Sequence, residues 1–466
     1  VVQVAIVRPG PIQGDMVHPY LRRRAGLEKV NYPSPDLRKV LERTLGVPLF
    51  QEQAMQIAIT AAGFSGNEAD QLRRAMATFK KQGEISSFRK KMVNGMIERG
   101  YDEDFALRCF RQIEGFGTYG FPESHAASFA LLVYISAWLK CHYPDVFTCA
   151  LLNAQPMGFY APSQLIAEAK RSGISIRPVD VNFSSWDHHL EFDPDNKKGH
   201  HALRLGLRLI KGLSRVEGER IAASQALAGD HAMLNKVKYT FSSLEDVMRQ
   251  ADISVRSLQA IADADGFSSL NIDRRHALWA ARMLVRHQLH DMPLFAHARQ
   301  RHERLAGIEP AIMLPPAGLG ENVAEDYRSL GISLKAHPLD LLQTPLVAAG
   351  WQMCSHVQNV PDGKRLRLAG LVTMRQRPGT ASGTVFITLE DGQGTANIII
   401  WPKLTEAYRE ALLHAQILGL VGRVQRQQAA IHVIAESLFN LNGFLRHIDE
   451  KAGTGGGVRI KSRDFH

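Results

Sequence analysis

Two stretches of this 466-residue sequence carry side chains whose types and spacing could do chemistry. Residues 71–95 hold Arg73, Arg74, Lys80, Lys81, Arg89, Lys90 and Lys91 against the single acid Glu84. Such an excess of cations suits a polyphosphate, and guanidinium groups suit it best because they stay charged and clamp two oxygens at once. The competing reading is a solvated helix face. The second stretch, Gly115 to Ala130, crowds glycines, aromatics and the pair Ser124 and His125 into the entrance of an apolar helix. Glycines let the backbone turn sharply, and a helix start leaves N–H groups unpaired, so an anion fits there. A nucleophilic Ser–His pair is weakly supported, because adjacent helical residues point apart and no acid is placed to orient the imidazole. Phosphate or template contact by His125 stands against a satisfied structural histidine.

Further along, Ile210 to Val216 and Ala262 to Phe267 both look like helix-hairpin-helix elements. The Gly212 hairpin offers backbone N–H groups, with Lys211 and Arg215 beside them, to a nucleic-acid phosphate. Ser214 stands where such hairpins often have glycine, which weakens that reading. Arg274 and Arg275 serve the same backbone or are ordinary surface charge. Arg365 and Arg367 alternate with Leu366 and Leu368, and Arg375 and Arg377 follow. A basic outer strand face suits single-stranded DNA. Trp401 and Phe386 either stack on bases or fill a barrel core. Neither Asp263 with Asp265 nor Asp102 with Asp104 lies on a strand as a metal-binding acid pair would, so no metal ligand is assigned.

These groups need elements to position them. From about residue 35 to 150 apolar residues recur at three and four, as in Ala126, Phe129, Ala130, Val133, Tyr134, Ala137 and Trp138, which predicts helices. Ser65 and Glu68 form a capping-box pattern that starts the helix bearing Arg73 and Arg74. Residues 151–200 weaken into short strands and turns, read as the edge of the same domain. Residues 201–300 return to helix, and 301–362 form a linker or small packing module. Residues 363–440 then alternate with period two around the Asp391–Gly394 turn, giving three strands, a helix and two strands, the order of an OB-fold. Residues 441–466, with the glycines from Gly453 to Gly457, predict a flexible tail. The fold class is therefore multidomain and mainly α, with a C-terminal β-barrel.

The formal charge of +10 and a pI of about 9.4 point to a polyanionic partner. Cys109, Cys141, Cys149 and Cys354 lack zinc-site spacing and read as reduced thiols, which suits the cytoplasm. The longest apolar run, Ala126 to Leu139, is shorter than the roughly 20 residues of a bilayer span, so no membrane partner is expected. The chain opens at Val1 inside the apolar run Val1 to Val7, which predicts a fragment of a longer protein.

The Gly115–Ala130 run closely resembles the signature with which bacterial C-family DNA polymerases, relatives of the DNA polymerase III alpha subunit, close their fingers region. Glu123 and Phe129 stand where replicative members usually carry Lys and Tyr, which resembles the error-prone branch. Arg8-Pro9-Gly10-Pro11-Ile12-Gln13-Gly14-Asp15-Met16-Val17, Phe50-Gln51-Glu52-Gln53-Ala54-Met55, Leu72-Arg73-Arg74-Ala75-Met76 and Lys461-Ser462-Arg463-Asp464-Phe465-His466 suggest the same branch. The resemblance runs along nearly the whole chain.

It implies a fingers domain with a palm-proximal start over 1–200, a helix-hairpin-helix region over 201–300 and an OB-fold over 363–440. It also implies error-prone, translesion DNA synthesis in DNA repair. Arg73, Arg74, Lys80, Lys81, Ser124 and His125 would face the incoming dNTP. Arg8, Lys211, Gly212, Arg215, Arg274, Arg275, Arg365 and Arg367 would meet primer-template or single-stranded DNA. The carboxylates that bind catalytic Mg2+ would lie upstream of Arg8, leaving no catalytic residue and no metal ligand in this chain, which alone should be inactive. Met292-Pro293-Leu294-Phe295 resembles a sliding-clamp-binding peptide without its leading Gln, so a clamp or translesion accessory proteins are further partners. A replicative alpha subunit fragment and a non-enzymatic single-stranded DNA-binding protein are the alternatives.

Overall fold

Helix signals in the first third become packed helices with their own core. The computed structural model describes residues 1–6, 17–78, 85–115, 122–157, 160–235, 240–289, 314–378, 381, 383–427, 430–446 and 463–465. They fall into two units, Val1–Leu139 and Lys140–His466. The first holds α1 (Val2–Ile6), α2 (Val17–Arg24), α3 (Pro35–Leu41), α4 (Gln51–Ala62), α5 (Gly66–Thr78), α6 (Ile85–Glu98), α7 (Glu103–Gly115) and most of α8 (Glu123–His142). Leu37, Leu49, Ile57, Leu72, Met92 and Phe110 fill its core.

Local chemistry fixes the helix ends. Ser34 caps α3, accepting from the Leu37 N–H at 3.2 Å, and Pro35 supplies a preset first turn. The buried amide of Gln53 is fully used: its oxygen accepts from Leu49 and Phe50 N–H, and its nitrogen donates to Val40 O and Thr44 Oγ1. The expected capping box starts α5, with Glu68 N–H donating to Ser65 Oγ at 3.3 Å and Ser65 N–H donating to Glu68 Oε2 at 2.9 Å. Gly95 lets α6 approach α4 closely, since a Cβ there would lie 2.3 Å from the Ala62 carbonyl oxygen.

The second unit opens with α9 (Pro144–Asn153) and α10 (Pro162–Arg171). A three-stranded sheet follows, β1 (Ile176–Arg177), β2 (His189–Glu191) and β3 (Ala202–Arg204), with β3 central. Next come α11 (Arg215–Asn235), α12 (Leu244–Gln250), α13 (Val255–Asp263) and α14 (Arg274–Leu289). The stretch 151–200, expected as the edge of the fingers domain, is not part of the first core. Leu152, Ile166, Ile174, Val179 and Val181 turn into one core with Leu205, Phe241, Leu258 and Phe267 of the hairpin region. The break between units accordingly falls at Leu139, inside α8, and not near residue 200.

Residues 314–362 divide between two neighbours. After α15 (Leu319–Ser329), Ile332 joins the hairpin-region core. The next helix, α16 (Pro338–Ala348), lays Leu339, Leu342 and Leu346 against Trp351, Ala369 and Leu371 on the outside of a barrel. That barrel contains β5 (Arg365–Gln376), β6 (Val385–Glu390), β7 (Thr395–Ile400), β8 (Ile417–Gln427) and β9 (Ala430–Asn440), preceded by β4 (Gln352–Met353). The strands run β5-β6-β7-β9-β8 and close through β5–β8 pairing. Between β7 and β8 lie α17 (Pro402–Ala407) and α18 (Arg409–His414), the expected OB-fold order. In β5, Arg365 and Arg367 alternate outward with buried Leu366 and Leu368, but residues 369–372 are all buried because α16 covers the outer face.

The expected flexible tail is ordered at both ends of its range. Leu441 and Leu445 are buried against α16 and Trp351, and Asn442 accepts from Gln416 and Ile417 N–H. At the far end β10 (Arg463–Phe465) pairs in parallel with Met374–Gln376 of β5.

Candidate nucleic-acid interface

On α5, burial of Leu72 in the core turns Arg73 and Arg74 outward, and one acid organises both. Asp70 takes Arg73 on Oδ1 and Arg74 on Oδ2, each at 2.8 Å. Hydrogen bonding from Arg73 is the first cause of the lowered Asp70 pKa, aided by the charges of both arginines. The triad keeps a net positive charge and presents two guanidiniums held by a shared carboxylate, a geometry that can receive phosphate oxygens. Lys91 is instead paired with Glu68 and lies over the Phe64 ring. Lys80, Lys81 and Arg8 lie outside the described residues, as do residues 116–121 of the glycine-rich run.

At the start of α8 the Glu123 N–H donates to Glu52 Oε2 at 2.9 Å, so the chain's own carboxylate occupies part of the expected anion position. Ser124 is exposed in the first turn, its carbonyl accepting from Ser128. The His125 ring packs on Phe129 with centroids 4.5 Å apart.

Several expected DNA contacts are redirected within the second unit. Lys211 Nζ donates to the carbonyls of Tyr327 at 3.0 Å and Arg328 at 2.7 Å, and its backbone N–H to Ser329 O. A helix C-terminus carries partial negative charge, so the end of α15 sits where a phosphate was expected. Gly212 makes the tight turn with φ 93°. Ser214, replacing the usual glycine, caps α11 by accepting from the Glu217 N–H. Arg274 is 3% exposed, ion-paired with Asp326 and bonded to Asn322 O at 2.9 Å. Arg275 binds Glu321 at 2.6 Å and Pro315 O at 2.7 Å. Both arginines tie α15 to the hairpin region, Arg274 from a buried position and Arg275 from a partly exposed one. Arg215 stays exposed beside Glu219.

The barrel offers a second surface. Arg365 and Arg423, side by side across β5 and β8, share Glu436 at 2.7 and 2.9 Å. The Arg367 guanidinium lies 4.4 Å over Trp351, which meets Phe439 edge-on at 5.4 Å. Gly350, Gln352, Arg365, Leu366, Arg367, Val421 and Phe439 line a cleft of about 600 Å³ here. Exposed Phe439 beside stacked Arg367 can receive a base, with Arg365 and Arg423 placed for phosphate. Arg375 is directed elsewhere, donating to Leu412 and Ala415 carbonyls at the end of α18. Phe386 is half-buried and Trp401 half-exposed. Asp70, Arg423, Phe439 and Trp351 are participants that the sequence reading leaves out.

Among the described residues no group of three His, Cys, Asp or Glu is arranged to hold a metal ion, and no helix is long and apolar enough to cross a membrane. Among the closely spaced acids, Asp265 binds Lys335, Asp263 faces Arg328, and Asp102 caps α7. Cys109, Cys149 and Cys354 are buried free thiols, burial pushing Cys109 up to about 12, and Cys141 is exposed. The clamp-like residues 292–295 lie outside the described residues.

Comparison with known proteins fits this arrangement. Residues 1–100 match the bacterial DNA polymerase III alpha subunit finger domain, 173–277 a helix-hairpin-helix motif, and 366–441 an OB-fold nucleic acid binding domain. The chain is 49% identical over 456 residues to "Error-prone DNA polymerase 2" of Rhizobium meliloti, covering 97% of this chain and 40% of that protein. It is 51% identical over 447 residues to "Error-prone DNA polymerase" of Brucella abortus, covering 94% and 40%. The chain thus spans two fifths of the length of these relatives. With finger, hairpin and barrel domains in this order, it corresponds to the C-terminal portion of the bacterial error-prone DNA polymerases.

Proposed function

We propose that this chain is the DNA- and nucleotide-handling part of an error-prone, DNA-directed DNA polymerase that takes part in translesion synthesis and DNA repair in the cytoplasm. The observation that carries the reading is the Arg73–Asp70–Arg74 triad on an exposed helix face of a polymerase finger domain. In this reading the two guanidiniums grip the triphosphate of an incoming dNTP, with Ser124 and His125 near its path. The barrel cleft takes single-stranded template beside the primer-template duplex. Magnesium would activate the primer hydroxyl and steady the leaving pyrophosphate, held by carboxylates upstream of Arg8. This chain's residues bind and orient. Contact with a sliding clamp or accessory proteins falls to segments such as residues 292–295.

Primer extension tests the reading. The 466-residue chain alone should bind primer-template and not extend it, whereas the full-length protein should extend it. In the full-length protein, Arg73→Ala or Arg74→Ala should lower incorporation about tenfold to a thousandfold, since a charge-assisted contact contributes roughly 1.5 to 3 kcal/mol, and more where water is excluded. DNA affinity should hardly change. Loss of DNA affinity with normal nucleotide dependence would favour a non-enzymatic DNA-binding module instead.

A further inference from the structure

The middle of α8 presents an apolar surface that nothing described above uses. From Ala126 to Leu139 the sequence carries no charged residue. Ala126 is buried in the first unit's core, but Leu131, Leu132, Val133, Tyr134 and Ile135 are exposed, from 45% at Ile135 to 71% at Tyr134. Five consecutive residues pass more than once around a helix of 3.6 residues per turn, so the exposure faces every side. A water-facing helix normally carries a charged stripe, and one that is apolar all round is normally buried. The uncharged stretch is also too short for the roughly 20 residues of a bilayer span.

We propose that this part of α8 is the seat for the upstream segment of the full-length protein, which encloses the helix from more than one side. Polypeptide for the purpose is available: the matched stretch is the C-terminal part of relatives about two and a half times its length. Enclosure on several sides needs a folded, concave apolar surface, which a segment of that size can supply. The identity of the segment rests on the polymerase reading. Because Ser124 and His125 lie in the first turn of α8, seating it would bring these residues to the edge of the segment that carries the metal-binding acids.

Thiol labelling tests the enclosure without using activity. In a Cys141→Ser background the other three thiols of this chain are buried, so with labelling read on the peptide that carries each site, Tyr134→Cys reports on α8 and Glu410→Cys, on the barrel's exposed α18, serves as the control. In the full-length protein maleimide should label Tyr134→Cys at least about tenfold more slowly than Glu410→Cys, and in the 466-residue chain at a comparable rate. Leu131→Cys repeats the measurement should Tyr134→Cys fail to fold. Equal rates at both sites in the full-length protein overturn the proposal. So does protection in the 466-residue chain that grows with concentration alongside a doubled sedimentation mass, which would make a second copy the occupant. Protection in a full-length protein that incorporates no nucleotide sinks the polymerase reading and leaves the seat standing.

Discussion

If Arg274 is an internal tie, removing either member of its ion pair should cost stability and leave DNA binding alone. Arg274 and Asp326 are 3% and 6% exposed at their side chains. Breaking such a buried pair by deleting one partner costs about 3–5 kcal/mol, because the survivor stays buried and uncompensated. The two deletions should differ. With Arg274→Met, Asp326 keeps the Ser333 hydroxyl at 2.7 Å and the Lys335 ammonium at 3.4 Å, which places the loss near 3 kcal/mol. With Asp326→Ala, the guanidinium loses its hydrogen-bonded carboxylate and retains the Asn322 oxygens, which places the loss nearer 5 kcal/mol. For a unit as long as Lys140–His466, an unfolding entropy of about 2.1 cal/mol/K per residue makes 3 kcal/mol a fall in Tm of roughly 4 °C. Circular dichroism melts of the second unit's transition read the shift, and DNA titrations well below Tm read the affinity. Normal melting of Arg274→Met with weakened DNA binding would refute the internal assignment and restore the arginine to the DNA surface.

Two further outcomes follow from the barrel and the hairpin. Arg365→Ala with Arg367→Ala should weaken single-stranded DNA binding and flatten its salt dependence by roughly one unit for each phosphate no longer neutralised, checked by titration across a salt series; unchanged affinity would make both arginines solvated surface. At Glu217 burial works against the charge, but hydrogen bonds from the Ser214 and Ser257 hydroxyls and the Ser254 N–H outweigh it and hold the pKa at about 2. A folded pKa below the usual 4.5 means that this stabilisation is present above the unfolded value and lost as pH falls towards 2, so Glu217→Gln should flatten the acid limb of a pH–stability profile. An acid limb of unaltered steepness would count against the linkage.

The elements that the sequence discloses are those governed by local rules. The Ser65–Glu68 cap and the alternation of Arg365 to Leu368 each arise within a few residues, and the strand-helix-strand order of the barrel is a succession of such local patterns. The Asp70 bridge is equally local, since Asp70, Arg73 and Arg74 stand three and four apart on one helix, yet the sequence reading leaves it out because it weighs only the cations of that stretch. What stays hidden is partnership across distance. Lys211 meets Tyr327, Arg274 meets Asp326, and Arg365 meets Glu436 at separations of 116, 52 and 71 residues. A lone sequence marks these cations as basic without saying that α15 or β9 has already claimed them. The same limit moved residues 151–200: short strands and prolines show that a regular helix ends there, but only packing shows whose core Ile166 and Val181 enter.

The sharing of residues 314–362 between two cores has a consequence for how DNA would be held. Lys211, Arg274 and Arg275 moor α15 to the hairpin region, while α16 is glued to the barrel. Between Ser329 and Pro338 the chain can stretch no further than about 30 Å. The barrel is therefore on a short leash. In the proposed reading, a strand that touches Arg215 near the hairpin would meet the barrel cleft as an intramolecular event, because the short connection keeps both surfaces within reach of one DNA molecule. Two grips on the same DNA would then multiply, and lengthening the leash with inserted flexible residues would loosen the combined hold while leaving each grip as it was.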